Sequence, residues 1–238
     1  MTDSGLIEAT TAVRTAGGSD VHQLSEMLAR AFASDSIAKH VLPDDSFRQQ
    51  GLGRVYRLYF KVFLRHGACY TNTGLEGAAL WLPPGKYPLS LIEHLSLLPG
   101  MTRALGLWKV PNALGVLNHL EKMHPIDRKY WYLGVLGVEP SRQGNGIGNA
   151  LIQPVLGLCN EDGVGAYLET GTESNLAFYA THGFKAMHES RIPNGPRVWG
   201  LWRDPSPMPA ERSATATGPE ATFARVRFSA SRSLLLTG

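Results

Sequence analysis

The chain has 238 residues, 43% of them hydrophobic and 18% charged, so it is long enough to bury a sizeable core. Its formal net charge is +3, and two of those three charges lie beyond Pro205, which argues against the dense basic face of a nucleic-acid-binding protein. Two cysteines without metal-ligand spacing, no signal-peptide pattern and no apolar run of membrane-spanning length predict a cytoplasmic protein with neither a metal nor a membrane partner.

The N-terminal part of the chain predicts a loose arm over residues 1–10, a strand at residues 11–15 and then two helices. Asp20 precedes apolar residues at helical spacing, and Gln23 stands three positions later, as the partner in a capping box does. A polar loop over residues 34–45 leads to the second helix. The apolar positions of that helix are Leu52, Val55, Tyr56, Tyr59, Val62 and Phe63.

The middle of the chain predicts a strand pair followed by a helical segment. Residues 68–73 and 77–82 are typical of short strands around a turn. Residues 84–127 are rich in leucine and interrupted by proline and glycine, which predicts an insertion of two or three short helices.

Strands and helices alternate through the C-terminal half. Tyr130–Val138 is apolar almost throughout, as a strand covered on both faces is. The remaining predicted elements are, in chain order, a helix beginning at Ile147 and interrupted by Pro154, a strand at residues 165–170, a short helix at residues 175–182 with Gly183 as its left-handed stop, and a strand pair at residues 184–189 and 197–202.

This order predicts a mixed α/β fold in which a twisted mixed sheet is flanked by helices, over residues 11–204. Residues 205–238 turn to Pro, Ala, Ser and Thr and predict an appendage with a short strand at Phe223–Phe228. Because its composition offers little to bury, we expect this appendage to be dispensable for the chemistry.

A glycine-rich loop joins the apolar strand to the next helix. Backbone N–H groups beside glycines approach an anion closely, and a helix N-terminus adds its unpaired donors. A dinucleotide-binding fingerprint would need glycine at Asn149, and a Walker A loop would need a lysine that is absent here. The loop therefore predicts a pyrophosphate cradle, with a purely structural turn as the alternative. Its residues are Arg142, Gln143, Gly144, Asn145, Gly146, Ile147 and Gly148.

Several segments of the chain resemble the GNAT superfamily of N-acetyltransferases. Residues 143–148 match its pyrophosphate loop, [Arg/Gln]-x-x-Gly-x-[Gly/Ala]. Residues 168–170 and 175–184 resemble its next strand and its N-x-x-x-Y-x-x-x-G-F segment, and residues 13–20 resemble its first strand and helix start. Within the family, the hairpin Ile192–Trp199 resembles bacterial small-molecule enzymes of the puromycin N-acetyltransferase type.

The resemblance implies an acyl-CoA-dependent N-acyltransferase that moves acetyl from acetyl-CoA directly to a small-molecule amine without a metal. It implies that the backbone of Leu136, Gly137 and Val138 binds the thioester oxyanion, that Tyr179 protonates the departing thiolate and that Asn175 contacts the pantetheine arm. Simple packing for Tyr179 and helix capping for Asn175 are the alternatives. A non-catalytic acyl-CoA sensor and a peptide or protein N-acetyltransferase are alternative functions of the same fold.

The base that deprotonates the amine is left open by the sequence. Glu169 lies in an apolar strand, where a buried carboxylate needs a partner, and it is the first candidate. His119, His124, Asp127 and His40 are the alternatives.

We expect residues 34–45 and 84–127 to line the acceptor site. Trp81, Tyr87 and Trp108 are its candidate apolar walls, with burial in the core as the other interpretation. Whether the chain forms a homodimer is left open.

Overall fold

The computed structural model describes residues 12–88 and 91–206, with the backbone alone for residues 91–94. The predicted N-terminal arm, most of the C-terminal appendage and its strand at Phe223–Phe228 lie outside the described residues.

A seven-stranded mixed sheet runs through the described part of the chain, in the order β1-β2-β3-β4-β5-β7-β6. Neighbouring strands are antiparallel, except for β4 and β5, which are parallel and are connected through a helix. The predicted fold class is therefore confirmed. The strands are β1 Val13–Thr15, β2 Ala68–Asn72, β3 Gly77–Leu82, β4 Tyr130–Val138, β5 Gly165–Thr170, β6 Lys185–Arg191 and β7 Arg197–Arg203.

Helices cover both faces of the sheet. Helices α1 and α3 pack over one hydrophobic core, and α6 packs over a second core on the opposite face. No helix of the described residues is long and apolar enough to cross a membrane. The α-helices are α1 Val21–Ala31, α2 Ser36–Val41, α3 Asp45–His66, α4 Leu91–Leu105, α5 Val110–Glu121, α6 Ile147–Asp162 and α7 Asn175–Thr181.

Two predictions for the first 45 residues are wrong. The segment predicted as a polar loop contains α2, because the Asp35 carboxylate accepts hydrogen bonds from the N–H groups of Ile37 and Ala38 and starts a helix there. Asp20 does precede α1, but its carboxylate caps no N–H of that helix. It binds the Arg14 guanidinium at 2.7 and 3.0 Å instead, so no capping box forms with Gln23.

The alternation of side chains between the two faces of the sheet is interrupted in β4 at Gly134. Leu80 of β3 pairs with Val135 and Trp81 pairs with Leu133, so Gly134 is an extra residue that forms a bulge. The bulge shifts the alternation by one position: Leu133 packs in the core under α6, whereas Val135 packs in the core under α1 and α3. The pairing of β4 with β5 also ends at Leu133. From Gly134 onward, β4 therefore has a free edge beside β5.

Candidate active site

Two glycines in the loop between β4 and α6 have left-handed backbones. Gly144 has a φ of 82° and Gly146 a φ of 80°, a conformation in which a side chain is strained. A Cβ atom added at either position would meet no protein atom within 4 Å. The loop therefore presents bare backbone to open space, which leaves room for a ligand to approach the main chain closely.

The first turn of α6 supplies hydrogen-bond donors to the same place. Its earliest helical bond runs from the Ala150 N–H to the Gly146 carbonyl at 3.0 Å, so the N–H groups of residues 147–149 have no helical carbonyl to reach. The positive end of this 16-residue helix adds to their attraction for an anion. These residues fit the pyrophosphate of an acyl-CoA.

Side chains of the loop mainly brace its backbone. The Gln143 amide donates to the Val138 carbonyl at 3.1 Å. The Arg142 guanidinium lies 2.9 Å from the Glu76 carboxylate and is 54% exposed. Arg142, expected in the phosphate cradle, is thus held by a carboxylate within the protein.

The free edge of β4 directs two N–H groups away from β3. The Glu139 N–H donates to the Glu76 carbonyl at 2.7 Å, which fixes the alternation of donors along this regular stretch of the strand. The N–H of Gly137 therefore points to β3, and those of Leu136 and Val138 point to the open side. Of these three residues, Leu136 lines the cavity described next.

A cavity of about 300 Å³ lies beside the free edge of β4. Residues 132–136 of β4, residues 169 and 170 of β5 and Gly171 line it, together with Asn175 and Tyr179 of α7. Both segments expected at the acceptor site, residues 34–45 and 84–127, contribute further lining residues. The cavity thus touches the strand gap, the start of α7 and the helical insertion together.

The three aromatic residues considered as cavity walls have different positions. Tyr87 lines the cavity. Trp81 is fully buried in the core under α6, and Trp108 is 93% exposed on the short 3-10 helix between α4 and α5. The interpretation of Trp108 as a wall is therefore wrong, because its helix turns that ring toward solvent.

Tyr179 borders the cavity from α7. It is 7% exposed, and its ring packs edge-on against Phe178 and Phe184, with centroid distances of 5.2 and 5.8 Å. Burial raises the pKa of its phenol well above the ordinary value. The hydroxyl group is therefore protonated throughout the neutral range, as a proton donor must be.

Glu169 has the buried partner that its position in an apolar strand requires. Its Oε1 atom lies 2.6 Å from Nε2 of His124, and the two side chains are 5% and 4% exposed. On the other side of the imidazole, Nδ1 lies 2.8 Å from the hydroxyl oxygen of Tyr130. Tyr87 stacks on the imidazole at a centroid distance of 3.9 Å. The imidazole is thus held in one orientation by contacts at both nitrogens and on its face.

The other candidate bases lie away from the cavity. Nε2 of His119 lies 3.0 Å from the Ser190 hydroxyl oxygen, and Asp127 is an exposed partner of Arg128. His40, on α2, lies beside the turn at Gly195. None of these three candidates is among the described residues that line the cavity.

Glu169 also influences the phenols around it. Burial first, and the charge of Glu169 second, raise the pKa values of Tyr87, Tyr132 and Tyr167. These phenols are consequently neutral hydrogen-bonding groups and aromatic surfaces. Among the described residues, no group of three or more His, Cys, Asp and Glu side chains is arranged to hold a metal ion.

Sequence comparisons match this part of the molecule to known proteins. Residues 99–184, which include β4, the glycine loop, β5 and α7, match the Acetyltransferase (GNAT) family. An uncharacterized N-acetyltransferase of Schizosaccharomyces pombe is 24% identical over 183 residues, which cover 69% of this chain and 70% of that protein. This part of the chain is thus similar to N-acetyltransferases of the GNAT family.

Solved structures of acetyltransferases share the fold of this chain. A Corynebacterium glutamicum protein, described as histone acetyltransferase HPA2 and related acetyltransferase, has a TM-score of 0.61 and 20% identity, with 84% of this chain and 98% of that chain covered. The Drosophila melanogaster polyamine N-acetyltransferase has a TM-score of 0.54 and 15% identity, with 81% and 99% covered. At 20% and 15% identity, these structures show a shared fold alone.

Sequence reasoning missed one neighbour of Glu169. Tyr132 lines the cavity and packs edge-on against His124, with a centroid distance of 4.7 Å. The signal was present in Tyr130-Trp131-Tyr132, because alternate residues of a strand share a face. Tyr130 and Tyr132 both lie against the same imidazole.

Proposed function

We propose that this chain is a GNAT-family enzyme that transfers acetyl from acetyl-CoA to the primary amine of a small molecule, using a domain that spans residues 11–204. One observation carries the proposal: a single cavity touches the free edge of β4, the Tyr179 side chain and the buried Glu169 carboxylate. These are an oxyanion donor, a proton donor and a proton acceptor, which are the three groups that acyl transfer to an amine needs.

The glycine loop holds the co-substrate in this proposal. Acetyl-CoA, when bound, supplies an acetyl group activated as a thioester. The backbone N–H groups of residues 143–148 bind the pyrophosphate, with Gly144 and Gly146 keeping the approach clear. The Asn175 amide donates to the Thr170 hydroxyl at 3.2 Å, which orients its carbonyl oxygen for the pantetheine arm.

Two groups act on the thioester end. The N–H of Leu136, unpaired on the cavity side of β4, donates a hydrogen bond to the carbonyl oxygen as negative charge develops there. The Tyr179 hydroxyl gives its proton to the departing sulfur. Both described cysteines are buried with thiol pKa values raised to about 12, which favours direct transfer over a cysteine-bound acyl intermediate.

Glu169 takes the proton from the amine. An alkylammonium must lose a proton before its nitrogen can attack, and a carboxylate in a desolvated cavity both attracts the cation and accepts that proton. His124, whose Nε2 lies 2.6 Å from the Glu169 Oε1 atom, holds the carboxylate in position. Glu169 is therefore the proposed catalytic base and His124 its positioning partner.

The proposal also includes the type of family member that the chain resembles. We place the chain with small-molecule enzymes of the puromycin N-acetyltransferase type because of its Ile192–Trp199 hairpin. Ile192 and Val198 of this hairpin pack against Val116 and Met123 at the end of the helical insertion. The hairpin thus supports the wall of the acceptor cavity. The Drosophila protein of similar fold catalyses the formation of N-acetylagmatine.

An amine panel tests the proposed reaction. The purified protein is incubated with acetyl-CoA and pooled primary amines, free CoA is measured, and products are identified by mass. We expect CoA release that depends on an amine and yields an N-acetylated product. Binding of CoA without turnover by any amine, lysine peptide or protein N-terminus would identify an acyl-CoA sensor instead.

The Glu169–His124 pair predicts a ranked loss of activity. Glu169→Gln keeps the shape but removes the proton acceptor, so kcat at neutral pH falls by about a hundred-fold. His124→Asn leaves the carboxylate in place and produces a smaller loss. Glu173→Gln is the control, because Glu173 is an exposed carboxylate paired with Arg197. Near-normal turnover of a folded Glu169→Gln variant would remove Glu169 from the mechanism.

A further inference from the structure

The charges around the acceptor cavity are all of one sign. Among the described residues that line it, the ionisable acids are Asp35, Glu121 and Glu169, and no lysine or arginine lines it. An electronegative, largely apolar cavity favours a cation over a neutral or anionic ligand. The position of each acid then decides how many positive charges fit.

Asp35 is occupied by the protein itself. One carboxylate oxygen accepts hydrogen bonds from Ile37 and Ala38 at 2.9 and 3.0 Å, and the other accepts one from the Thr172 hydroxyl at 3.2 Å. A carboxylate held by three donors of the protein has little capacity left for a ligand. It anchors α2 to the segment after β5.

Glu121 lies at the rim of the cavity. It is half-buried at the last residue of α5 and also borders a second cavity of about 370 Å³, which Arg128 and Lys129 line. Burial is the main cause of the raised pKa of Tyr87; the charge of Glu169 is the second cause and that of Glu121 the third. Glu121 thus shares a cavity with two cations, whereas Glu169 lies on β5 beside the strand gap.

Aromatic rings surround the approach to Glu169. Tyr87 and Tyr132 meet at a centroid distance of 4.7 Å beside it. A chain of rings, Tyr56, Tyr59 and Phe63, follows the wall formed by α3 at centroid spacings of 6.0 and 6.2 Å. Such rings stabilise an ammonium group over their faces and accept an apolar body against their edges.

Apart from Glu121 at the end of α5, the described residues of the wall formed by α4 and α5 offer no partner to a second charge. Helices α4 and α5 contribute aliphatic side chains there, namely Leu97, Met101, Leu105, Val116, Leu117 and Leu120. A second ammonium or a guanidinium against this wall would lose its hydration without gaining a partner. A cavity of about 300 Å³ also holds only a compact body.

We infer that the acceptor is a primary amine with a single positive charge on a compact apolar body, aromatic or branched aliphatic. The ammonium lies at Glu169 beside the Tyr87 and Tyr132 rings, and the apolar body lies against α4 and α5. Diamines, guanidinium amines and peptides are poor acceptors. This inference names the substrate class of the proposed acetyltransferase site and therefore rests on the proposed function.

Matched amines test the inference on the unaltered protein. The kcat/KM value is measured at saturating acetyl-CoA for 2-phenylethylamine and isoamylamine, and for putrescine, agmatine and a lysine peptide. We expect the two monoamines to exceed the other three by about a hundred-fold, the scale of leaving one buried charge without a partner. Preference for aromatic over aliphatic monoamine, or the reverse, identifies the kind of apolar body.

A variant of α5 tests the reason for that preference. Leu117→Glu places a carboxylate on the apolar wall. The kcat/KM value for putrescine should then rise by about ten-fold relative to that for isoamylamine. Asn118→Glu is the control, because residue 118 is exposed on the same helix and does not line the cavity. The thermal midpoint of each variant is measured beside its kinetics.

The possible failures of the two proposals are distinguishable. Putrescine, agmatine or the peptide as the preferred acceptor of the unaltered protein would overturn the substrate class while leaving the acetyltransferase site intact. CoA binding without an acetylated product from any amine would instead overturn the proposed function. An unchanged selectivity in a folded Leu117→Glu variant would also overturn the substrate class, because it would remove α5 from the acceptor site.

Discussion

The proposed cofactor loop exposes its backbone, whereas the proposed acceptor cavity is lined by buried side chains. The loop at residues 142–148 is mostly exposed, and its backbone is left free while its longer side chains bind the protein. The cavity uses buried side chains, above all Glu169 and Tyr179, which different elements bring together. A site formed by the backbone depends on small residues that leave the main chain accessible. A site formed by side chains depends on which residues the fold brings into contact.

This contrast explains how easily each region is recognised. The loop is contiguous, so its glycine pattern is visible in the sequence. The Glu169–His124 pair joins β5 to the segment after α5, and no short motif contains both residues. Substitutions in the two regions should accordingly affect different kinetic quantities.

The largest expected effect is in the cavity. Tyr179→Phe keeps the ring packing and deletes the hydroxyl group, so kcat should fall by about a hundred-fold while CoA affinity stays nearly unchanged. Steady-state kinetics and calorimetric CoA binding on the same preparation measure the two quantities. Tyr70→Phe, on β2, is the matched control. A purely packing role would instead leave turnover intact and reduce stability by about 1 kcal/mol.

The pH profile adds a test of the same residue. A general acid is active while protonated, so activity is lost as the pH rises through its pKa in the folded protein. Because burial raises the pKa of Tyr179, this basic limb should begin above pH 10, the ordinary phenol value. The limb should be absent from the residual activity of Tyr179→Phe. An identical basic limb in both proteins would contradict the assignment.

An intermediate effect is expected in the loop. Gly146→Val places a branched side chain at a left-handed position facing open space, where the pyrophosphate must meet the backbone. CoA affinity should fall by about ten-fold or more, with the fold retained. Gly157→Val is the control, since position 157 lies on the exposed face of α6 with open space around it. Unchanged CoA affinity in a folded Gly146→Val protein would refute the cradle.

The smallest effect is expected for a loop side chain. Arg142 is 54% exposed and paired with Glu76, so Arg142→Ala should weaken CoA binding by only about two- to three-fold. Because the charge is screened, the difference should shrink as salt is raised. Calorimetry at two ionic strengths measures it. A loss as large as that of Gly146→Val would mean that the side chain, rather than the backbone, holds the phosphate.

Local signals in the sequence predicted most of the fold. The strands Tyr130–Val138 and Gly165–Thr170 have the predicted bounds, and Gly183 ends α7 with a positive φ. These features depend on hydrophobic runs and on glycine conformation, both of which are properties of neighbouring residues. The glycine pattern of the cofactor loop belongs to the same kind of information.

Only the tertiary structure decided which side chains meet. It gave Glu169 a partner in His124, which the sequence offered only as an alternative base, and it placed Trp108 in solvent. It also put the bulge of β4 at Gly134, where the strands separate. The sequence by itself determined the family motif and the order of elements, because both are contiguous. The acceptor cavity required packing, because its walls come from strands and helices distant in the chain and only their assembly fixes the distances between them.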